Sequence, residues 1–159
     1  MKIDSLTIFE QGSYTELSTG SYAYLKPRVL FEELLEPIDY ELQFFLFNGQ
    51  CHLTTVLYRP FHHKSLSFRL YDADWNRMEP GEPKSLPIHN TDAGETPCPP
   101  DEIFEKLREL CRDIGHVRVD FYVTNGVFYF SEFTFTHAGG KTPGLIGKYD
   151  AELGRFWSA

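Results

Sequence analysis

Residues 116–135, HVRVDFYVTNGVFYFSEFTF, decide the fold. Two apolar, aromatic-rich runs flank Thr124-Asn125-Gly126. Aromatic and β-branched residues favour strands, and Asn-Gly between two such runs is a strong hairpin signal. Each run carries a carboxylate where an apolar residue is expected, Asp120 in the first and Glu132 in the second. Strand side chains alternate faces with period two. Arg118, Asp120 and Tyr122 therefore share one face, and Phe130, Glu132 and Thr134 share a face of the second run. Pairing across the turn puts position 120 opposite residue 130 or 131, so the two acids become near neighbours if they face the same way. Two carboxylates across a sheet repel each other. Arg118 supplies one nearby positive charge. A divalent cation would supply more, since Mg²⁺ is typically held by one or two carboxylates plus phosphate oxygens. A plainer arrangement stays open: Asp120 paired with Arg118 or Arg112, and Glu132 at a sheet edge in water.

Working outward, Tyr40–Phe47 and Cys51–Tyr58 read as two strands joined through Asn48-Gly49-Gln50, a second hairpin. Leu66–Tyr71 alternates apolar and polar residues, as a half-buried strand does. Ile3–Phe9 reads as a short strand, and Arg28–Leu35 as a strand or a short helix between Pro27 and Pro37. Residues 76–100 are rich in Pro, Gly, Asn, Asp and Thr, a long loop of the kind that tends to be functional or mobile. The clear helix is DEIFEKLRELCRDIG, residues 101–115. Its Ile103, Phe104, Leu107, Leu110, Cys111 and Ile114 fall at helical spacing. Acids open it and Gly115 stops it. The expectation is a single α+β domain over 1–159, a mostly antiparallel sheet with one long helix.

The composition narrows the function classes. At 159 residues, with 42% apolar and 24% charged residues, the chain has the means to build a globular core. The formal net charge is −8 and no basic run occurs, which argues against a nucleic-acid partner. No stretch approaches the roughly 20 apolar residues of a membrane span, and the N-terminus lacks the pattern of a signal peptide. Cys51, Cys98 and Cys111 are irregularly spaced, as reduced thiols are, so a cytoplasmic location is expected. No Cys/His zinc pattern is present.

Several ordered segments resemble a known family. They are Lys26-Pro27-Arg28-Val29-Leu30-Phe31-Glu32-Glu33, Asp39-Tyr40-Glu41 through Phe47-Asn48-Gly49, and Leu70-Tyr71-Asp72-Ala73-Asp74-Trp75. The hairpin RVDF…YFSEFTF and Tyr149-Asp150 through Leu153-Gly154 complete the set. Together, from about residue 22 to 155, they resemble the TupA-like ATP-grasp family, linked to teichuronopeptide and surface-polysaccharide genes. More distantly they resemble the D-Ala–D-Ala ligases of the same fold.

The resemblance implies MgATP as cofactor and a ligase that phosphorylates a carboxylate and then joins it to an amine. The acceptor would be a small molecule, peptide or sugar. Asp120, Glu132 and Thr134 would face magnesium, with Thr134 standing where the ligases carry Asn. Arg118 would stabilise negative charge on the transferred phosphoryl group. Glu32-Glu33-Leu34-Leu35 is similar to the adenine-binding hinge, with Asp39 placed for the ribose hydroxyls. The 137–141 loop, HAGGK, would lie where the acceptor approaches. Arg59, His62, Lys64 and Arg69 form the main basic cluster, on strands expected to lead towards the site.

The chain departs from the family's pattern in two ways. The phosphate-binding lysines and glycine-rich lid should precede the hinge, and residues 1–21 carry no such segment. Glu41 occupies a position where the family carries lysine. The chain thus looks like the C-terminal half of the fold. Either a partner chain supplies the rest, or the fold persists as a non-catalytic nucleotide-binding or protein-interaction module. Self-association is expected, to cover the apolar surface that the missing half would bury.

Overall fold

A computed structural model describes residues 34–58, 67–79, 81, 96–136 and 147–157. The chain divides into two compact units, Met1–Glu32 and Glu33–Ala159, and every described residue lies in the second. The expected strand at residues 3–9, Glu32 and Glu33 of the hinge, the basic residues Arg59, His62 and Lys64, and the 137–141 loop lie outside the described residues.

The described unit is a six-stranded antiparallel sheet. The strands are β1 (Tyr40–Phe47), β2 (Gln50–Tyr58), β3 (Ser67–Asp72), β4 (Arg77–Met78), β5 (Val117–Thr124) and β6 (Val127–Thr134). Their order across the sheet is β4-β3-β2-β1-β5-β6. Both expected hairpins form on two-residue Asn-Gly turns. Asn48 and Gly49 have φ of 50° and 77°, and Asn125 and Gly126 have 51° and 74°. Positive φ at both central residues matches the turn to the twist of the strands, and Asn and Gly tolerate it best. Thr124, expected in the turn, is instead the last residue of β5.

The helical content is smaller than expected. Helix α1 runs over Asp101–Cys111, only 11 residues, and the chain then turns back. Ile114 N–H donates to Cys111 O, and the Ile114 carbonyl accepts from Asn48 N–H. Residues 112–115 are thereby tied to the β1–β2 turn and feed β5, so the expected long helix stops a turn early. A second helix, α2 (Asp150–Leu153), is a single turn, followed by a 3-10 turn over Gly154–Phe156.

The two faces of the sheet differ. Leu42, Phe44, Leu46, Val56, Val117, Val119 and Val123 form a core beneath Leu107 and Cys111 of α1. Phe44 meets Phe104 and Phe121 edge-on, with ring centroids 5.7 and 5.8 Å away. On the opposite face Phe45, Leu53, Leu57, Phe68 and Leu70 cluster under Tyr149 and Leu153. Only part of that second face is apolar. Towards β5 and β6 it becomes the polar surface that holds the site.

Candidate functional site

Cross-strand register builds the site. Asp120 pairs with Gln43 on one side and with Glu132 on the other, and Gln43 pairs with Thr55. Glu132, Asp120, Gln43 and Thr55 thus form one polar row across four strands. A second row runs Thr134, Arg118, Phe45. Both rows lie on the face opposite α1.

A bulge sets the pairing of the two acids. Thr124 pairs with Val127 and Phe121 with Phe130, but Asp120 pairs with Glu132, leaving Ser131 as the extra residue on β6. Were Ser131 paired in line rather than bulged, the same turn would place Glu132 opposite Val119, on the core face. A single inserted residue reverses every side chain beyond it. Plain counting from the turn gave 130 or 131 as the partner of position 120, and the bulge moves it to 132.

Three side chains converge on one guanidinium. Arg118 Nε donates to Asp120 Oδ1 at 2.8 Å, and Nη2 donates to Asp120 Oδ2 at 2.7 Å. Nη2 also reaches Glu132 Oε1 and Thr134 Oγ1, each at 3.1 Å. Thr134 Oγ1 donates to Glu132 Oε1 at 3.0 Å. From the other side Gln43 Nε2 donates to Glu41 Oε1 at 2.7 Å and to Asp120 Oδ2 at 3.4 Å, while Thr55 Oγ1 donates to Gln43 Oε1 at 2.9 Å. Asp120 is 2% exposed and Arg118 8%, so their pair is largely withdrawn from water. The Glu132 side chain is 58% exposed, so one carboxylate of the site stays open to solvent.

Burial pushes the Asp120 carboxyl up to about 6. Arg118 holds it down, and Glu41 and Glu132 push it further up. Gln43, with Thr55 behind it, was not singled out from the sequence, and Glu41 was marked only as a departure from the family's pattern. The signal was present: Glu41 and Gln43 alternate with apolar residues in YELQFFLF, on the face that β5 makes polar.

The segment that follows the hinge residues, at Pro37 and Asp39, meets the turn end of the same hairpin. Leu34 is exposed and Leu35 half-buried, and neither belongs to a strand or helix. Asp39 N–H donates to Val123 O at 2.8 Å, and Asp39 Oδ2 accepts from Asn125 N–H at 2.7 Å. Thr124 Oγ1 donates to Pro37 O. The structure therefore brings Arg118, Asp120, Glu132 and Thr134 together, and places Asp39 about 10 Å away along β5, three residues at strand rise. Arg69 is not part of this face. It pairs with Val56, which pairs with Leu42, in the row that faces α1.

Among the described residues no group of three or more His, Cys, Asp or Glu side chains is spaced to hold a metal by itself. Mg²⁺ bound with a nucleotide does not require one, because phosphate and water complete its shell. The oxygens of Asp120, Glu132 and Thr134 already hold a cationic atom, Nη2, and oxygen donors are the kind that a hard cation such as Mg²⁺ takes.

No helix among the described residues is long and apolar enough to cross a membrane. The three cysteines are free. No curated protein and no solved structure matches the chain. The family described as TupA-like ATPgrasp matches residues 1–157, taking in the segment 1–21 that the separate motifs leave out. The match spans nearly the full 159 residues, and the chain belongs to the TupA-like ATP-grasp family.

Proposed function

We propose that the β5–β6 hairpin carries a MgATP site for a carboxylate–amine ligase of the kind tied to surface-polysaccharide or teichuronopeptide synthesis. The observation that carries this reading is the convergence of Asp120, Glu132 and Thr134 oxygens on the single cationic nitrogen of Arg118. Asp120, Glu132 and Thr134 would hold the magnesium. Such an ion, when bound, would supply neutralisation of phosphate charge. Arg118, displaced from the acids, would turn its N–H groups towards the transferred phosphoryl group and stabilise the charge there. Gln43, fixed by Thr55, would keep the Asp120 carboxylate in place. Leu34, Leu35 and Asp39 would hold the base and ribose at the turn end, with Glu32 and Glu33 as the rest of the hinge. In the reaction the γ-phosphoryl group passes to a substrate carboxylate, leaving ADP. An amine then attacks the acylphosphate, releasing phosphate and a proton.

A second reading, a nucleotide-binding or interaction module without catalysis, is favoured by Glu41. This buried acid beside Gln43 and Asp120 stands where the family carries lysine, and it opposes phosphate approach. Thermal unfolding with Mg²⁺, ATP or both tests nucleotide binding. A ligand at about 100 times its Kd stabilises by about 2.7 kcal/mol. A shift that needs both, and that is lost in Asp120→Asn/Glu132→Gln, supports the site. No shift at millimolar MgATP, or a shift intact in the double variant, overturns it. Phosphate release with carboxylate and amine candidates then separates the ligase from the module.

A further inference from the structure

The sheet holds a second buried arginine, on the face opposite the one described. Arg69 is 3% exposed. Its Nη1 donates to the Tyr58 hydroxyl at 3.3 Å and to Thr96 Oγ1 at 3.2 Å. Its guanidinium carbon lies 5.1 Å from the centroid of the Tyr58 ring. Among the described residues its buried Nε and Nη2 meet no acceptor. Among the described residues no carboxylate forms an ion pair with it.

The two arginines make a controlled comparison. Nε–H and Nη2–H point the same way from a guanidinium and form a two-pronged donor. In Arg118 that edge is filled by the two oxygens of one carboxylate. In Arg69 the same edge meets no acceptor among the described residues. A buried donor left unmade costs free energy, and more so on a charged group. The surroundings of Arg69 are fixed as a receptor's would be. The Tyr58 and Thr96 hydroxyls lie 2.5 Å apart. Thr96 is held by Trp75 Nε1, which donates to its carbonyl at 3.1 Å, and by Tyr71, whose hydroxyl accepts from its N–H at 3.4 Å. Trp75 stacks on Tyr71 with centroids 4.4 Å apart.

We propose that Arg69, with Tyr58 and Thr96, is the receptor of a buried site for a small monovalent carboxylate. The planar two-oxygen group matches the bare edge, as Asp120 matches that of Arg118. One negative charge neutralises one guanidinium, whereas a phosphate or sulfate dianion would leave a net charge buried. A bound carboxylate would join the sheet to the segment that leads into α1, through Thr96. The site is independent of the nucleotide reading, since it lies on the other face.

The test uses the whole 159-residue chain and sodium acetate, formate, phosphate, sulfate or chloride at equal ionic strength and pH. Acetate and formate are expected to raise the unfolding midpoint with the logarithm of their concentration above Kd, by about 5–10 °C at a hundredfold excess over Kd. Phosphate and sulfate should do no better than chloride, and Arg69→Met should lose the acetate response. Acetate matching chloride, phosphate surpassing acetate, or an acetate response intact in Arg69→Met each overturns the assignment. Should Arg69→Met not fold, the wild-type arginine Nε–H resonances decide. The one with cross-peaks to Tyr58 and Thr96 should shift downfield on acetate titration. A resonance that does not move means that the edge is already satisfied from within the chain, and the proposal falls.

Discussion

Arg118 grips Asp120, two residues along the same strand, through two parallel N–H···O bonds of 2.8 and 2.7 Å. Side chains two apart on a strand share a face, which lets one residue neutralise the other without help from a neighbouring strand. Even so, burial wins over the ion pair, and the Asp120 carboxyl rises from 3.8 to about 6.

That rise makes stability depend on pH. Between about pH 4 and pH 6 the folded protein keeps a proton on Asp120 that the unfolded chain has lost. The stabilisation is fully present below pH 4 and is lost as pH rises through 6, an amount on the order of 2–3 kcal/mol. Asp120→Asn removes this titration. Urea unfolding of both proteins from pH 4 to 7 should show the variant gaining on the wild type by that amount as pH rises. Parallel profiles would mean that Asp120 titrates normally.

The site was legible in the sequence where it depends on residue type, and illegible where it depends on register. Asp120 and Glu132 stand out because they interrupt apolar runs, and Arg118 because of its spacing to Asp120. Nothing in Phe130-Ser131-Glu132 announces the bulge, because a bulge is fixed by pairing with another strand and by packing beyond it. Several family motifs proved to be supports. In the 70–75 segment, Asp72 Oδ1 accepts from the N–H groups of Asp74 and Asn76, and Trp75, at φ 62°, stacks on Tyr71. Tyr149 and Leu153 cover the second core. The helix overran in the reading because Ile114 keeps the helical period while its backbone serves the turn.

The bulge makes its own prediction. Ser131 is the extra residue, so deleting it restores regular pairing and keeps Glu132 opposite Asp120, with Phe133 still opposite Val119. If the acids hold magnesium together, MgATP affinity in calorimetry should survive the deletion and should fall in Glu132→Gln by roughly tenfold or 1.4 kcal/mol. Unchanged affinity in Glu132→Gln, with the fold intact by circular dichroism, would remove Glu132 from the site.

The two Asn-Gly turns should respond unequally to one substitution. A Cβ on Gly49 would lie 2.8 Å from Arg108 O and from Arg112 Cα, whereas a Cβ on Gly126 meets nothing within 4 Å. Both glycines have left-handed φ, which costs an L-residue about 1–2 kcal/mol. Gly126→Ala should lose about that much. Gly49→Ala should lose more, since α1 must also move off the β1–β2 turn. Denaturation midpoints compare them directly, and equal losses would show that α1 does not rest on Gly49.

Asp39 separates a binding role from a structural one. Its Oδ2 accepts from Asn125 N–H at 2.7 Å, and its own N–H donates to Val123 O. Asp39→Asn keeps an oxygen for the turn, so stability should change by less than about 1 kcal/mol. Asp39→Ala removes the acceptor and should cost about 1 kcal/mol or somewhat more, because a turn amide is left to water. If the carboxylate also holds ribose hydroxyls, both variants weaken MgATP binding, the Asn variant without a matching loss of stability. Full affinity in Asp39→Asn would leave Asp39 as a clasp between the segment after Pro37 and the hairpin turn. The ribose contact would then have to come from elsewhere in the hinge.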